Sequence, residues 1–243
     1  MKKRFKTYYF DSLESTNDTA KELVNKTDRE FVISTYNQIK GKGKGDRVWH
    51  TAAGSGLAIS FLVKNPNLKI ISAYTSIAAI AVTKLLQGYG IESRIKWPND
   101  ILISGKKICG ILCESSILSG APSHVVVGIG LNVNQNPTDF PEEIKDISTS
   151  MSIVLNKQID LKEVEQSLVE IFTEVLENFE TDPNYYYDEL LQKSIIIGKR
   201  CRVLENGLCS TVLIHSVEID NSLIIVDDKG MRRIYSADIL EII

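Results

Sequence analysis

The chain has 243 residues, of which 43% are hydrophobic and 24% are charged, with a formal net charge of −3. This composition is typical of a globular protein that can bury a sizeable core, and the acidic balance excludes a general electrostatic attraction to nucleic acid. The sequence contains no apolar run as long as a signal peptide or a membrane span, and its four cysteines fit neither a zinc site nor a dense disulfide framework. We therefore expect a cytoplasmic protein without membrane contact.

The first motif lies at the start of a helix. A short aromatic strand over residues 7–10 leads into a turn, and a helix begins at Ser15-Thr16-Asn17-Asp18. Ser15 with Asp18 three residues later resembles a capping box. A helix cap alone is a sufficient explanation for these residues. The alternative is that the hydroxyls and free amides at this helix start also bind a polar ligand.

The second motif is a glycine- and lysine-rich run. A predicted strand over residues 31–36 leads into residues 38–49, where glycine alternates with lysine before Arg47 and Trp49. We expect a loop, because each glycine costs about 1 kcal/mol in a helix and the run has little apolar surface to pack as a strand. Its amides and cations suit a site for phosphate or carboxylate groups, whereas a solvated mobile loop is the simpler alternative in isolation.

The third motif lies in residues 94–114, which predict a β-hairpin with a turn at Ser104-Gly105. The hairpin places Asn99 and Asp100 at one end, with Lys107 directed towards them from the facing strand. Asx residues beside proline usually form turns. A carboxylate, an amide and a lysine on facing strands can instead bind magnesium and a nucleotide.

The remaining elements of the first part of the chain are predicted to pack the core. We expect a strand over residues 57–63, an apolar helix over 69–87, and two helices over 150–155 and 161–179. A strand over 125–134 contains Gly128-x-Gly130, which is weak support for a dinucleotide site because no third glycine and no helix follow. Glycine in a strand often marks the close approach of a ligand or another backbone.

The C-terminal part of the chain changes to short strands separated by turn signals. They are predicted over residues 195–197, 201–204, 210–217, 223–226 and 232–235. Such a series suggests a small barrel of the SH3 kind, with a role in packing or partner contact. We therefore predict a catalytic domain over residues 1–192 and a C-terminal domain over residues 193–243.

Taken together and in this order, the motifs resemble those of the biotin protein ligases, and the match covers essentially the whole chain. The family pattern is Ser-Thr-Asn at a helix start, a Gly-Arg-Gly-Arg loop ending in Trp, Lys-Trp-Pro-Asn-Asp, Lys-x-x-Gly-Ile-Leu and Gly-x-Gly-x-Asn. The corresponding stretches here are residues 15–17, 41–44 with Trp49, 96–100, 107–112 and 128–132. The resemblance implies an α+β fold, in which a mixed β-sheet backed by helices, like that of class II aminoacyl-tRNA synthetases, precedes a C-terminal SH3-like barrel.

The resemblance also implies a two-step reaction that uses biotin, ATP and Mg²⁺. Biotin is activated as biotinyl-5′-AMP and then transferred to a lysine of a biotin carboxyl carrier protein, part of acetyl-CoA carboxylase or pyruvate carboxylase. Two alternatives stay open. One is a lipoate or octanoate ligase of the same superfamily, and the other is a non-catalytic biotin sensor.

The resemblance assigns roles to individual residues. Biotin would be bound by Ser15, Thr16, Asn17, Gln38, Gly41, Lys42, Gly43, Lys44, Lys107 and Gly110. ATP would be bound by Lys44, Arg47, Trp49, Asn99, Asp100, Lys107 and Asn132. The predicted catalytic residues are Lys107, Lys44 and Asp100, and Asp100 is also the predicted ligand of Mg²⁺.

The chain departs from the family pattern in two respects. Lys42 and Lys44 stand where the family commonly has arginines, and lysine cannot reproduce a bidentate guanidinium contact. We hypothesise that Lys44 therefore holds the adenylate less firmly. Residues 1–14 are too few for the DNA-binding domain that some family members carry, so we expect neither DNA binding nor repression. The resemblance is compatible with a homodimer.

Overall fold

The computed structural model describes residues 4–66, 68–118 and 121–243. Its α+β architecture combines a seven-stranded sheet, a five-stranded sheet and a two-stranded hairpin. In the described ranges no helix is long and apolar enough to cross a membrane.

The elements follow one another along the chain with few long connections. The strands of the first part are β1 (Lys6–Tyr9), β2 (Phe31–Thr35), β3 (Gly41–Lys42), β4 (Val48–Trp49), β5 (Gly56–Lys64), β6 (Arg94–Lys96), β7 (Asp100–Ile103), β8 (Lys106–Leu118) and β9 (Ala121–Asn132). The α-helices are α1 (Thr16–Leu23), α2 (Tyr74–Gly88), α3 (Met151–Leu155), α4 (Leu161–Thr181) and α5 (Tyr187–Lys193). The C-terminal strands are β10 (Arg200–Glu205), β11 (Leu208–Val217), β12 (Leu223–Asp227), β13 (Gly230–Ile234) and β14 (Asp238–Ile242).

The large sheet is mixed and has the order β1-β2-β5-β9-β8-β7-β6. Only the β1–β2 pair is parallel among the pairings of the described strands, and the others are antiparallel. The long hairpin β8–β9 and the strand β5 form its centre. The predicted mixed sheet backed by helices is thus confirmed.

The two faces of this sheet are covered differently. On one face, α2 and α4 pack against each other and against the apolar side chains of the strands. On the other face, α1 rests on a smaller cluster that includes Phe31, Ile33, Leu62 and Val126. Because α1 packs on this second face, its N-terminus is held over β5 and β9.

The glycine- and lysine-rich run is not entirely a loop, so that prediction was wrong at four residues. β3 and β4 form a short antiparallel ladder in which Gly41 pairs with Trp49 and Lys42 with Val48. The Gly43 amide donates to the Arg47 carbonyl at 2.7 Å. Trp49, the last residue of the run, gives this hairpin an apolar side chain that lies against Gly130 of the large sheet.

The C-terminal region contains five strands, but not the five predicted. Residues 195–197 are not a strand: the segment joins the large sheet through one isolated bridge between Ser194 and Ile95, in which the Ile195 amide donates to the Ile95 carbonyl at 3.0 Å. The last strand, β14, was missed. The sheet order β13-β12-β11-β10-β14 leaves β13 and β14 unpaired with each other, so a closed SH3-like barrel is not confirmed.

Candidate active site

A cavity of about 460 Å³ lies between the start of α1, the β3–β4 hairpin and the strands β7, β8 and β9. The structure brings nearly all predicted site residues to its walls. Those that line it are Ser15, Thr16, Asn17, Gln38, Lys42, Gly43, Lys44, Arg47, Trp49, Asn99, Asp100, Lys107, Gly110 and Asn132. Gly41 is the exception: it pairs with Trp49 and packs against Gln38 instead. The roles of these residues in binding and catalysis stay predictions.

One end of the cavity is closed and uncharged, and we call it the closed end. It is formed by Ser15, Thr16, Asn17 and Gln38, which are between 3% and 9% exposed. Ser15 caps α1 by accepting a hydrogen bond from the Asp18 amide at 3.4 Å. The Gln38 side-chain oxygen accepts from the Thr16 amide at 2.9 Å, so the side chain is fixed in one orientation. The cap predicted at Ser15 is confirmed.

Glycines of β8 and β9 make room on the cavity floor. A Cβ at Gly128 would lie 2.2 Å from the Asn17 side-chain oxygen, and one at Gly130 would lie 2.4 Å from the Trp49 indole. Side chains at these positions would therefore displace Asn17 or Trp49. The sequence predicted the close approach of a ligand or another backbone at these glycines, whereas the groups that approach them in the structure are the side chains of Asn17 and Trp49.

The other end, which we call the open end, carries the charged groups. Lys107 Nζ lies 2.6 Å from the Asp100 carboxylate, as the predicted hairpin requires. The tight turn that aligns β7 with β8 depends on positive φ angles at Ser104 (48°) and Gly105 (82°). The turn pairs Leu102 with Lys107, and a register shift between Leu102 and Ile101 then brings Asp100 opposite Gly110.

The cations of the β3–β4 hairpin are also paired with carboxylates. Lys42 contacts Asp18 at 2.6 Å, while Lys44 and Arg47 both contact Asp238 of β14 at 3.0 Å. Burial raises the pKa of the Asp238 carboxyl, but the hydrogen bond from Lys44 and the charges of both cations outweigh it, and the pKa lies below its usual value. The balance at Asp18 is similar: hydrogen bonds from Lys42 and Lys21 outweigh burial and lower the pKa.

An apolar wall beside the open end was missed. Phe140, Ile144 and Ile147 line the cavity together with Ser148. This segment is held in place by hydrogen bonds from the Lys107 amide to the Ile147 carbonyl at 2.7 Å and from the Asn132 side chain to the Thr149 carbonyl at 2.9 Å. The sequence signal was the recurrence of large apolar residues at intervals of three or four in a segment that otherwise indicates a polar loop.

The described residues contain no group of three or more His, Cys, Asp or Glu side chains that could hold a metal ion by themselves. Among the described residues that line the cavity, Asp100 is the one carboxylate. A magnesium ion that keeps most of its coordination to nucleotide phosphates needs only one or two protein carboxylates. The donor set therefore fits a metal that arrives with a nucleotide, and it does not fit an all-protein metal centre.

Comparison with known proteins places this geometry in a family. Residues 9–132 match the biotin/lipoate A/B protein ligase family. The chain is 36% identical over 237 residues to the bifunctional ligase/repressor BirA of Bacillus subtilis, covering 95% of this chain and 72% of that protein. It is 28% identical over 213 residues to a biotin–[acetyl-CoA-carboxylase] ligase of Mycobacterium tuberculosis, covering 85% and 76%.

A solved structure agrees with the sequence relatives. The biotin protein ligase of Aquifex aeolicus in complex with biotin and ATP superimposes with a TM-score of 0.82 at 25% identity, over 95% of each chain. The resemblance seen in the sequence motifs is confirmed. The chain is a ligase and belongs to the biotin/lipoate A/B protein ligase family.

Proposed function

We propose that this chain activates biotin with ATP and transfers the biotinyl group to a lysine of a biotin carboxyl carrier domain. The observation that supports this most is the presence, in one cavity, of a neutral hydrogen-bonding end and a cationic end. The relatives agree, since the Mycobacterium tuberculosis protein is named as a biotin–[acetyl-CoA-carboxylase] ligase and the Aquifex aeolicus structure contains biotin and ATP.

In the first step, a carboxylate oxygen of biotin attacks the α-phosphorus of ATP, and the bond to the bridging oxygen of pyrophosphate breaks. Two anions must approach each other, so positioned cations stabilise the transition state. We assign Lys107 to the bridge between the biotin carboxylate and the α-phosphate. Lys44 and Arg47 would release Asp238 and contact the phosphates that leave as pyrophosphate. The apolar wall of Phe140, Ile144 and Ile147 would enclose adenine together with Trp49.

In the second step, the neutral amine of the acceptor lysine attacks the acyl carbon of biotinyl-5′-AMP. The carbon–oxygen bond to AMP breaks, an amide forms and the amine loses a proton. Val48 and Ile147 line the cavity and are each 60% exposed, so they offer the carrier domain an apolar contact at the opening. The β3–β4 hairpin covers the intermediate and limits its hydrolysis.

Asp100 is our choice for the residue that holds Mg²⁺, with Asn99 and Asn132 beside the nucleotide. The ion would neutralise phosphate charge. In this structure Asp100 is paired with Lys107, so binding of the nucleotide requires Lys107 to turn from Asp100 towards the phosphate. The Asp100 carboxylate, no longer paired with Lys107, can then bind the cation that accompanies ATP.

We also propose that residues 193–243 form a separate C-terminal domain of SH3-like topology, after a catalytic domain over residues 1–192. The five antiparallel strands support this. Asp238 connects the C-terminal strands to the β3–β4 hairpin through Lys44 and Arg47, and the nucleotide phosphates would compete with it for these cations. A homodimer and the absence of DNA binding stay predictions.

The test is ATP–pyrophosphate exchange by the purified protein with Mg²⁺, with biotin, lipoate or octanoate supplied separately. Exchange with biotin alone is expected. Exchange with lipoate or octanoate but not with biotin would show that the protein is a lipoate or octanoate ligase. Biotin binding without exchange of any kind would favour a sensor.

A further inference from the structure

A buried hydrogen-bond network lies directly behind the closed end of the cavity. Its centre is Ser60 of β5, which is fully buried and does not itself line the cavity. The Ser60 hydroxyl oxygen lies 2.7 Å from the Thr16 hydroxyl and 2.6 Å from the Asn17 side-chain oxygen. Ser60 pairs in register with Gly128, whose missing side chain leaves the space that Asn17 occupies.

The surrounding contacts fix which way Asn17 points. Its amide nitrogen donates to the Leu112 carbonyl at 3.2 Å and to the Glu114 carboxylate at 2.8 Å. Glu114 also pairs with Lys21 at 2.8 Å. A flipped amide would put its oxygen against two acceptors. The Asn17 oxygen therefore faces Ser60.

This orientation makes Ser60 the hydrogen-bond donor to Asn17. A hydroxyl has one proton, and the Asn17 oxygen can only accept, so the Ser60 proton goes to Asn17. The Ser60 hydroxyl is also oriented to donate to the Thr16 hydroxyl at 2.7 Å, and the Thr16 hydroxyl donates to the Gln38 side-chain oxygen at 3.2 Å. The Gln38 side-chain oxygen also accepts a hydrogen bond from the Thr16 amide.

Two acceptors and two donors remain for a ligand. The Thr16 hydroxyl and the Asn17 carbonyl each keep a lone pair. The Gln38 amide nitrogen keeps its protons, and the Ser15 hydroxyl, which accepts from the Asp18 amide, keeps its proton to donate. A cyclic urea has two N–H groups and one carbonyl oxygen with two lone pairs, and it matches this set. A dithiolane ring or an alkyl chain leaves all four groups unpaired.

We propose that Ser60 is a positioning residue that sets the selectivity of the cavity for a cyclic urea head group. This rests on the proposed function, because it explains how the biotin site rejects the lipoyl and octanoyl alternatives. A site built for hydrogen-bonding groups discriminates strongly against analogues that lack them, because its buried polar atoms are then left unpaired. Ser60 acts through Thr16 and Asn17 without touching the ligand.

The variant to make is Ser60→Ala, with Ser34→Ala as its matched control. Both serines are fully buried in adjacent strands, but Ser34 pairs with Ile59, points to the opposite face and donates to Glu165 at 2.6 Å. Ser60→Ala leaves Asn17 without its donor, and we expect the dissociation constant for biotin to rise about 10- to 100-fold. Ser34→Ala is expected to lower thermal stability and leave biotin binding unchanged.

The measurements are isothermal titration with biotin, and kcat and KM in ATP–pyrophosphate exchange. For Ser60→Ala we expect a raised KM for biotin, an unchanged kcat at saturating biotin and an unchanged KM for ATP. The ratio of the dissociation constant for octanoate to that for biotin should fall by the same factor. An unchanged biotin affinity, an equal loss in Ser34→Ala, or a parallel rise in the KM for ATP would overturn the proposal.

A second variant keeps the test decisive if Ser60→Ala does not fold. Ser60→Cys retains the shape and a weak donor, so its loss of biotin affinity should be smaller, about three- to tenfold. Wild-type protein that shows no biotin-dependent exchange would contradict the proposed function. Wild-type exchange together with unaltered biotin affinity in both Ser60 variants would contradict this inference alone.

Discussion

The closed end of the cavity holds neutral, buried hydrogen-bonding groups, whereas the open end holds exposed ion pairs. Thr16 and Asn17 are 4% and 5% exposed. The Lys42 and Arg47 side chains are 51% and 65% exposed, and each contacts a carboxylate of another element. The two ends therefore differ in how freely their groups can exchange partners.

Because of this difference, we expect the closed end to determine which carboxylic acid binds and the open end to determine how ATP is bound. Exposed ion pairs contribute about 0–1 kcal/mol each, so phosphate can replace Asp18 or Asp238 at little cost. A buried donor or acceptor that loses its partner costs about 1–3 kcal/mol, so the closed end tolerates only a ligand that pairs with it. Changes at the closed end should alter biotin binding, and changes at the open end should alter the use of ATP.

The largest effect is expected from Lys107→Met. This variant tests whether the Lys107 cation at the open end stabilises the transition state for adenylate formation. Loss of a charge that stabilises the transition state should lower kcat for biotin-dependent exchange by about 10²- to 10³-fold. Biotin affinity measured without ATP should change much less, because Lys107 is then paired with Asp100 and bridges the biotin carboxylate to the α-phosphate only when the nucleotide is bound. Pre-steady-state measurement of biotinyl-5′-AMP formation gives the rate directly.

The matched control for Lys107→Met is Lys106→Met. Lys106 is adjacent in the same strand but is exposed and does not line the cavity. Its replacement should leave exchange unchanged. A similar loss in both variants would show that the strand and not the Lys107 charge is responsible.

The next effect in size is expected from Gly128→Ala at the closed end. The added methyl group would overlap the Asn17 side-chain oxygen, which its hydrogen bonds to Ser60, Leu112 and Glu114 prevent from moving away. We expect biotin affinity to fall about 10- to 100-fold, with ATP binding unaffected. Gly88→Ala is the control, since a Cβ there meets nothing within 4 Å. Titration calorimetry with biotin should show full affinity for Gly88→Ala, and full affinity for Gly128→Ala would contradict the packing argument.

The family resemblance grouped residues from Ser15 to Asn132 in one site, whereas the parts of the site that the residues predicted by themselves are those that depend on local chain geometry. The Ser15 cap follows from residues three positions apart. The Lys107–Asp100 contact follows from a hairpin whose turn is marked by Ser104-Gly105. In both cases the residues that determine the contact are close in sequence, so the pattern contains the information.

The parts that were missed depend on packing between distant segments. β5 is buried on both faces, so no alternation of polar and apolar residues shows that Ser60 faces α1. Only its pairing with Gly128 and the packing of α1 place it behind the site. Residues 195–197 have the composition of a strand, but they do not form one, and the Ile196 side chain is buried in the main hydrophobic core. Asp238 lies far along the chain from Lys44, and the contact between them requires the whole C-terminal sheet to be in place.

A smaller effect is expected from Asp238→Asn at the open end. The carboxylate competes with phosphate for Lys44 and Arg47, so its removal should lower the KM for ATP about two- to fivefold. Biotin affinity should stay constant. Asp227→Asn is the matched control, because Asp227 pairs with Arg232 at 3.0 Å within the same C-terminal sheet and does not line the cavity. An increased KM for ATP in Asp238→Asn would mean that the carboxylate positions the two cations and does not compete for them.

The smallest effect is the pH dependence of stability that comes from Asp238. The pKa of this carboxyl is lowered in the folded protein, despite burial, by the hydrogen bond from Lys44 and by the charges of Lys44 and Arg47. A depressed folded-state pKa stabilises the protein at pH values above the unfolded-state pKa, and the contribution disappears as the pH falls through the folded-state pKa. Because the ion pairs are partly exposed, the contribution should stay below about 1 kcal/mol, or about 3 °C in Tm for a chain of this size. Asp238→Asn should therefore melt slightly below wild type at a pH of about 7, and the difference should disappear as the pH falls through the lowered folded-state pKa of this carboxyl. A difference in melting temperature that persists in acid would have to come from packing at Asp238 and not from its charge.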